Sequence, residues 1–455
     1  MIKKYPFPEE LEPNREYSVS VREAGSSKAL NLVCYNAPVC RTCLGQERWR
    51  SGPESERRNK MAFVSFESDF SSPVEVTVTN NISLSESVQI RPSSSKINYI
   101  KDNNTVKFII EKPTKLSIEF DNDMYHNLFL YAEAPETDIP DKNDDNVIYF
   151  DAGIHEQEII ELKDNQTLYL APGSYVYGRI EVTEARNIKI CGRGVLSGAK
   201  MPHEPDAFRP NLVKLSNTDG IVIKDVILLD GPGWTSAYFH CKNVYIDNMK
   251  HITNYYNGDG LDICSCQNFL AENMFLRDFD DCISIKGFGT DNRNITIRDS
   301  VFWNDCAHSM LIGPESPVDK YSVFSDILFE NIVVLNSQEH NPDYIGIMAM
   351  MCTNNATFKN ITWRNIEIEH MEYGTLISAR YQTCYGSCIG KSIENIHFDN
   401  IKFNGTIMLK SPVLGFDEEH KISDFVIKDL YINGRKQTDA MHYFETNEFT
   451  DMRFE

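Results

Sequence analysis

Hydrophobic and polar positions follow two different patterns along the chain. Up to about residue 135 they alternate in short runs, among them Tyr17-Ser-Val-Ser-Val-Arg, Met61-Ala-Phe-Val-Ser-Phe, Val74-Glu-Val-Thr-Val-Thr and Lys115-Leu-Ser-Ile-Glu-Phe. A period of two is that of half-buried strands. With turn-rich joints between the runs and no helical period, the pattern predicts an antiparallel, β-sandwich-like domain over residues 1–140. The acidic segment Pro135-Glu-Thr-Asp-Ile-Pro-Asp-Lys-Asn-Asp-Asp145, with its two prolines, reads as a linker.

From residue 146 onward the pattern repeats at a longer interval. Short β-branched runs meet an Asp or Asn and then a second apolar run, as in Ile221-Val-Ile-Lys-Asp-Val-Ile, Val244-Tyr-Ile-Asp-Asn-Met, Ile295-Thr-Ile-Arg-Asp-Ser-Val-Phe, Ile361-Thr-Trp-Arg-Asn-Ile-Glu-Ile and Ile396-His-Phe-Asp-Asn-Ile-Lys-Phe. A repeat of this size with polar corners predicts an all-β solenoid, a right-handed parallel β-helix over residues 146–455. Successive coils then stack about 4.8 Å apart, so residues one period apart share a face. A solenoid needs its open end covered, and the N-terminal domain is expected there, also walling one end of a cleft. The polar segment Trp49-Arg-Ser-Gly-Pro-Glu-Ser-Glu-Arg-Arg-Asn either reaches across that cleft or is an exposed loop without a role.

The candidate chemistry is concentrated between Asn254 and Glu315. Asp259 and Asp262 lie in Asn257-Gly-Asp-Gly-Leu-Asp, Asp280 and Asp281 are adjacent, and His308 follows in Cys306-Ala-His-Ser-Met-Leu-Ile-Gly. The gaps match the repeat, so Asp259, Asp280/Asp281 and His308 are expected to form a column on adjacent coils. One to two coils of rise place carboxylates roughly 5–10 Å apart, which covers the separation of about 6.5–9.5 Å that lets a water sit between a carboxylate base and a sugar. The competing explanation is that Asp and Asn merely close turns at coil corners, and it applies best to Asp262. Trp234, one coil earlier, is placed either to stack on a sugar face or to pack a corner. His240 reads as structural.

These residues resemble glycoside hydrolase family 28, the polygalacturonase family. Asn257-Gly-Asp-Gly-Leu-Asp262 is similar to its Asn-Thr-Asp-Gly-x-Asp motif, Asp280-Asp-Cys-Ile-Ser-Ile-Lys286 to Asp-Asp-Cys-Ile-Ala-Ile-Lys, and His308-Ser-Met-Leu-Ile-Gly313 to His-Gly-Leu-Ser-Ile-Gly. The resemblance runs from about Val147 to about Phe403 and implies a pectin-lyase-like solenoid. It also implies inverting hydrolysis of an α-linked oligo- or polysaccharide without metal or organic cofactor. Asp280 is then the general acid, its proton affinity raised by its charged neighbours, Asp259 and Asp281 activate the water, and His308 returns the acid's proton. Asn257, Trp234, Asp262, Arg380 and Tyr381 are the candidate substrate contacts.

One departure bears on the sugar. Pectin-cleaving members of the family carry an Arg-x-Lys pair on the coil after the histidine, where this chain has Tyr344-Ile-Gly-Ile-Met-Ala-Met-Met351. Arg380, in Ser378-Ala-Arg-Tyr381, either substitutes as a ligand or serves as a structural ion-pair partner. The two-domain layout is similar to glycoside hydrolase family 49, the dextranase-like relatives that act on neutral glucans. Both an acidic and a neutral substrate therefore remain open. So do a dextranase-like α-glucan hydrolase, a calcium-dependent β-helix polysaccharide lyase, and a carbohydrate-binding β-helix without catalysis.

Composition narrows the partners. A net charge of −21 over 455 residues disfavours nucleic acid and anionic membranes, and gives no steering toward a polyanionic glycan. No apolar run reaches the length of a membrane span, and no signal-like apolar region follows Lys3-Lys4. The expectation is a cytoplasmic protein, monomer or homodimer, acting on imported oligosaccharides by exo cleavage. The twelve cysteines are scattered through the chain and read as buried free thiols. Cys40-Arg-Thr-Cys43, with Cys34 nearby, has the pair spacing of a zinc site but lacks a second close pair.

Overall fold

The computed structural model describes residues 1–40, 58–203, 210–255, 257–382, 384–438 and 441–455. Both Cys43 and the stretch from Trp49 to residue 57 fall outside the described residues. The two patterns of alternation become two β architectures. The N-terminal strands form two layers joined by Leu30–Cys40, whose first half pairs with Asn14–Glu23 and whose second half pairs with Arg58–Ser68. Alternating residues of both layers, including Val21, Val76, Phe66, Leu116 and Leu130, meet in one core. Leu128–Glu133 runs parallel to Arg58–Ser68, and the other pairings of these layers are antiparallel.

From Val147 to the C-terminus the chain is a right-handed parallel β-helix of three strand stacks. The first stack runs through Val213–Ser216, Ser236–Phe239, Leu261–Cys264, Ile283–Lys286, Met310–Ile312, Met348–Cys352 and Ile377–Tyr381. Its inward positions join a single apolar core filling the coil. Within that core Phe329, Trp363 and Phe398 stack at 5.4 and 4.7 Å between ring centroids.

The polar corners have a geometric cause. Asn331, Asn365 and Asn400 have φ of +55°, +56° and +55°, a left-handed conformation that asparagine tolerates better than most residues. Each side-chain amide donates to the corner residue one coil earlier: Asn331 to Asp299 at 2.9 Å, Asn365 to Asn331 at 2.9 Å and Asn400 to Asn365 at 2.8 Å. Asn365→Val is expected to lower stability by roughly 2–3 kcal/mol, from backbone strain and lost hydrogen bonds together. Asn365→Gly, which relieves the strain, should cost less than half as much in urea unfolding, and equal losses would show that strain is not the cause.

The N-terminal domain lies along the flank of the solenoid, which corrects the expectation that it covers the open end. The outward residues of the third stack, Ile227, Leu229, Ile252, Phe275, Trp303 and Leu335, are apolar and would otherwise face water. They pack on Ala37, Val39, Met61, Phe63, Phe129 and Tyr131. Buried ion pairs are set into this joint: Lys250 with Glu133 at 2.6 Å, and Arg91 with Glu119 at 2.8 Å while Arg91 Nη1 donates to the Leu335 carbonyl at 2.6 Å.

Candidate active site

The site forms where each coil turns from the third stack into the first. Register pairs Leu261 with Ile283 and Ile283 with Met310. Two residues earlier on each coil, the same register brings Asp259, Asp281 and His308 into one column. Gly260 N donates to the Asp281 carbonyl at 2.8 Å and Cys282 N to the His308 carbonyl at 2.9 Å, so the turns are locked as firmly as the strands. A side chain at position 260 would not fit, because a Cβ there would lie 2.3 Å from Asp278 Oδ2. The turn carrying His308 is braced from within by Asn304, whose amide donates to the Cys306 and Ala307 carbonyls at 3.1 and 2.8 Å and whose Oδ1 accepts from Ser309 Oγ at 2.7 Å.

The three neighbouring carboxylates have three different surroundings. Asp281 is buried, and its Oδ1 contacts His308 Nδ1 at 2.6 Å and accepts the His308 N–H at 3.0 Å. Its Oδ2 accepts the Tyr344 hydroxyl at 3.1 Å. Burial first, and then the charge of Asp259, push the Asp281 carboxyl well above its ordinary range, against the pull of Lys286 and these donors. Asp280 is oriented by main chain: the Asn257 N–H donates to its Oδ2 and the Asp281 N–H to its Oδ1, both at 3.2 Å. Asp259 Oδ2 receives Lys286 Nζ at 3.0 Å.

The remaining sequence candidates divide. Asn257 is half-buried with φ of +53° and faces Asp280 through its backbone. Trp234 is also half-buried, with Phe239 and Phe288 beside it and Lys286 Nζ 3.5 Å from its ring centroid. Asp262 is wholly buried and lies 2.8 Å from Lys286 Nζ. Tyr381 is removed from the site. Strand alternation turns Ile377, Ala379 and Tyr381 into the coil core, and the tyrosine hydroxyl donates to the Lys421 carbonyl at 2.8 Å. Arg380 points outward on the same strand, where its Nη2 donates to the Pro342 carbonyl at 2.8 Å. His240 Nδ1 lies 3.3 Å from Thr290 Oγ1, away from the column.

Two residues that organise the column were not among the candidates. Lys286 ends the motif Asp280-Asp-Cys-Ile-Ser-Ile-Lys, and Tyr344 opens the stretch noted only for lacking a cation. Tyr344 also packs edge-on against His308, with centroids 4.1 Å apart. Beyond His308 the outward positions of the next coils are Leu311, Ala349 and Met351, buried together with Cys40 and Cys306 in a small apolar cluster. Among the described residues no group of three His, Cys, Asp or Glu side chains is arranged to hold a metal ion, and eleven cysteines are free thiols.

Two family models match different parts of the chain. Residues 141–450 match the model of glycosyl hydrolases family 28, and residues 10–140 match the glycosyl hydrolase family 49 N-terminal Ig-like domain. A polygalacturonase of Juniperus ashei is 25% identical over 205 residues, 43% of this chain and 38% of the juniper protein. An isopullulanase of Aspergillus niger is 22% identical over 366 residues, 64% of this chain and 63% of that protein. The chain thus spans less than half the length of the juniper relative. Among solved structures, Dex49A from Penicillium minioluteum superposes with a TM-score of 0.72 at 16% identity, covering 99% of this chain and 96% of that one, a likeness of fold.

Proposed function

Because the chain belongs to glycosyl hydrolases family 28, we propose that this glycosidase cleaves an α-linked oligo- or polysaccharide by a single displacement with inversion. The observation that carries the proposal is the division of labour among the three carboxylates. Asp281 is tied to His308 and Tyr344, Asp259 is tied to Lys286, and Asp280 is aimed by two main-chain N–H groups, those of Asn257 and Asp281. Asp280 gives its proton to the glycosidic oxygen as the C1–O bond breaks. Water attacks C1 from the opposite face and loses a proton to Asp259 and Asp281, which share it. His308, bound to Asp281, helps return the acid to its protonated form for the next turnover.

The sugar at the site is proposed to be neutral. A uronate carboxylate above Leu311, Ala349 and Met351 would lie on an apolar cluster, and to be paired it would have to recruit Arg380, in register beside Met351, away from the Pro342 carbonyl that its Nη2 contacts. An unpaired buried carboxylate costs several kcal/mol. The isopullulanase likeness points the same way, while the polygalacturonase likeness favours a uronate.

Proton NMR of the reaction with α-linked glucoside and galacturonide oligomers tests both parts. The β-anomer should appear first, and kcat/KM for the neutral oligomer should exceed that for the uronide by at least about 100-fold, equivalent to about 2.8 kcal/mol. An α-anomer as first product would rule out single displacement, and preference for the uronide would rule out the neutral subsite.

The pH profile follows from burial. The base Asp281 must be ionised to act, and its carboxyl lies above the ordinary Asp value of 3.8. Activity is therefore expected to fall, as pH is lowered, through a midpoint above 3.8. An acid limb at or below that value would remove Asp281 from the base role.

A further inference from the structure

We propose that Lys286 is the positioning residue for Asp259, one ammonium that fixes the direction of that carboxylate for activating water. The inference rests on the base role given to Asp259 above. Lys286 Nζ has three N–H bonds and three carboxylate neighbours: Asp262 Oδ1 at 2.8 Å, Asp259 Oδ2 at 3.0 Å and Glu315 Oε2 at 3.3 Å. The Trp234 ring covers a further side, 3.5 Å from Nζ to its centroid. Lysine ordinarily solvates its charge, yet this residue is 3% exposed, and its ammonium is enclosed by acids and an indole. Its charge is directed at the acids and is withdrawn from direct contact with substrate.

How that charge is divided follows from burial. The groups facing Lys286 are Asp259 and Asp262 at the start of one coil, Cys264 further along the same strand, Glu315 after the next coil's strand, and Asp281 across the column. Burial opposes the ammonium, but the acids around it, Asp259 first among them, outweigh burial and raise Lys286 well above its ordinary value. Asp262 goes the other way. Burial raises its carboxyl well above the ordinary range, with the charge of Asp259 adding to it and that of Lys286 opposing. Glu315 is the partly exposed member, at 36% of its side chain, although the Oε2 that faces the ammonium is buried, and it is the most distant of the three at 3.3 Å. Of the three acids around the ammonium, Asp259 is the one that belongs to the column, 3.0 Å from Nζ. Asp262, wholly buried and 2.8 Å from Nζ, limits where the ammonium sits.

The test compares Lys286→Met, Lys286→Arg and Glu315→Gln on whichever α-linked glucoside or galacturonide trimer the native enzyme cleaves faster. Lys286→Met is expected to lower kcat by about 100-fold, in the range of a lost acid–base group, with KM changed less than about threefold. It should move the acid limb of kcat/KM to higher pH. Glu315→Gln removes a competing negative charge and should move that limb to lower pH, a shift of opposite sign that a purely structural role would not produce. Lys286→Arg keeps the charge, so it should restore the limb, but its planar fork cannot point at three carboxylates around one centre and kcat stays depressed. An unmoved limb in all three variants, or a rise in KM with kcat retained, would overturn the proposal.

Should Lys286→Met fail to fold, the Arg and Gln variants carry the same readout. A crystal structure of the native enzyme and of a folded Lys286 variant decides independently of activity: the Asp259 carboxylate should swing away by more than about 1 Å, and an unmoved carboxylate sinks the inference. Asp259→Asn separates the two readings, because normal turnover in that variant refutes the base role whatever Lys286 does.

Discussion

Asp280→Asn is expected to lower kcat by about 10³-fold or more, with KM changed less than about threefold and the fold unaffected. General acid catalysis alone contributes about 10²–10⁴-fold, and an unactivated glycosidic oxygen leaves poorly without a proton. The substitution keeps the volume, and the asparagine carbonyl retains one of the two main-chain N–H contacts at 3.2 Å, which go to separate carboxylate oxygens. Asp281→Asn would be less informative, since it would place an amide against His308 Nδ1 and disturb the geometry along with the chemistry. The decisive comparison uses a glycosyl fluoride, whose leaving group needs no proton. Asp280→Asn should recover most of the native rate on the fluoride while remaining inactive on the oligosaccharide. Equal losses on both substrates would show that Asp280 is not the acid, and native turnover of the oligosaccharide would remove it from catalysis altogether.

The column was legible in the sequence because its members obey the repeat. A parallel solenoid converts equal spacing into shared position, and Asp259, Asp281 and His308 sit two residues ahead of strands whose apolar pattern is plain. Corner asparagines announced the coils for a similar reason, since a left-handed turn at every corner selects for them.

What stayed hidden depends on contacts that spacing alone does not reveal. Lys286 ends an apolar strand, where a lysine ordinarily reaches solvent. Its burial requires Asp262 and Glu315, and neither identifies itself as a partner beforehand. Tyr344 reaches Asp281 from an irregular turn, for which periodicity offers no guide. Tyr381, by contrast, was misplaced although a signal existed: counting by two from Ile377 puts it inside the coil. The flanking position of the N-terminal domain was also foreshadowed. Runs such as Val226-Ile-Leu-Leu229 and Val301-Phe-Trp303 are apolar on both faces, which marks strands covered on both sides.

Arg277→Met is expected to destabilise the protein by about 3–5 kcal/mol, the cost of breaking a buried ion pair from one side. Arg277 is wholly buried at the joint between the two domains. Its Nε and Nη2 meet the two Asp305 oxygens at 2.9 and 3.0 Å, and its Nη1 donates to the Met124 carbonyl at 2.8 Å and to Asn127 Oδ1 at 3.0 Å. The guanidinium also lies 4.3 Å from the Trp303 ring centroid. A methionine fills much of the volume but satisfies none of these acceptors.

The sign of the pH dependence identifies the cause. Burial already raises the Asp305 carboxyl above its ordinary value with the arginine present, against the arginine's pull. Without the cation it rises further. A group whose folded value is raised stabilises the fold at low pH and loses that contribution as pH climbs through the folded value. The deficit of Arg277→Met in urea unfolding should therefore be larger at pH 8 than at pH 5. A pH-independent deficit, or one below about 1 kcal/mol, would mean that packing and not charge holds the joint.

Removing both charges, as in Arg277→Met combined with Asp305→Leu, should recover part of the loss, because an apolar pair needs no desolvation. Activity need not follow stability in that double variant. Asp305 opens the turn that presents His308, and its carbonyl accepts Gln338 Nε2 at 2.8 Å. The arginine thus ties the N-terminal domain to the turn that aims the histidine at Asp281. If that tie matters, the double variant should be more stable than Arg277→Met yet still deficient in kcat, separating the support of the fold from the aim of the site.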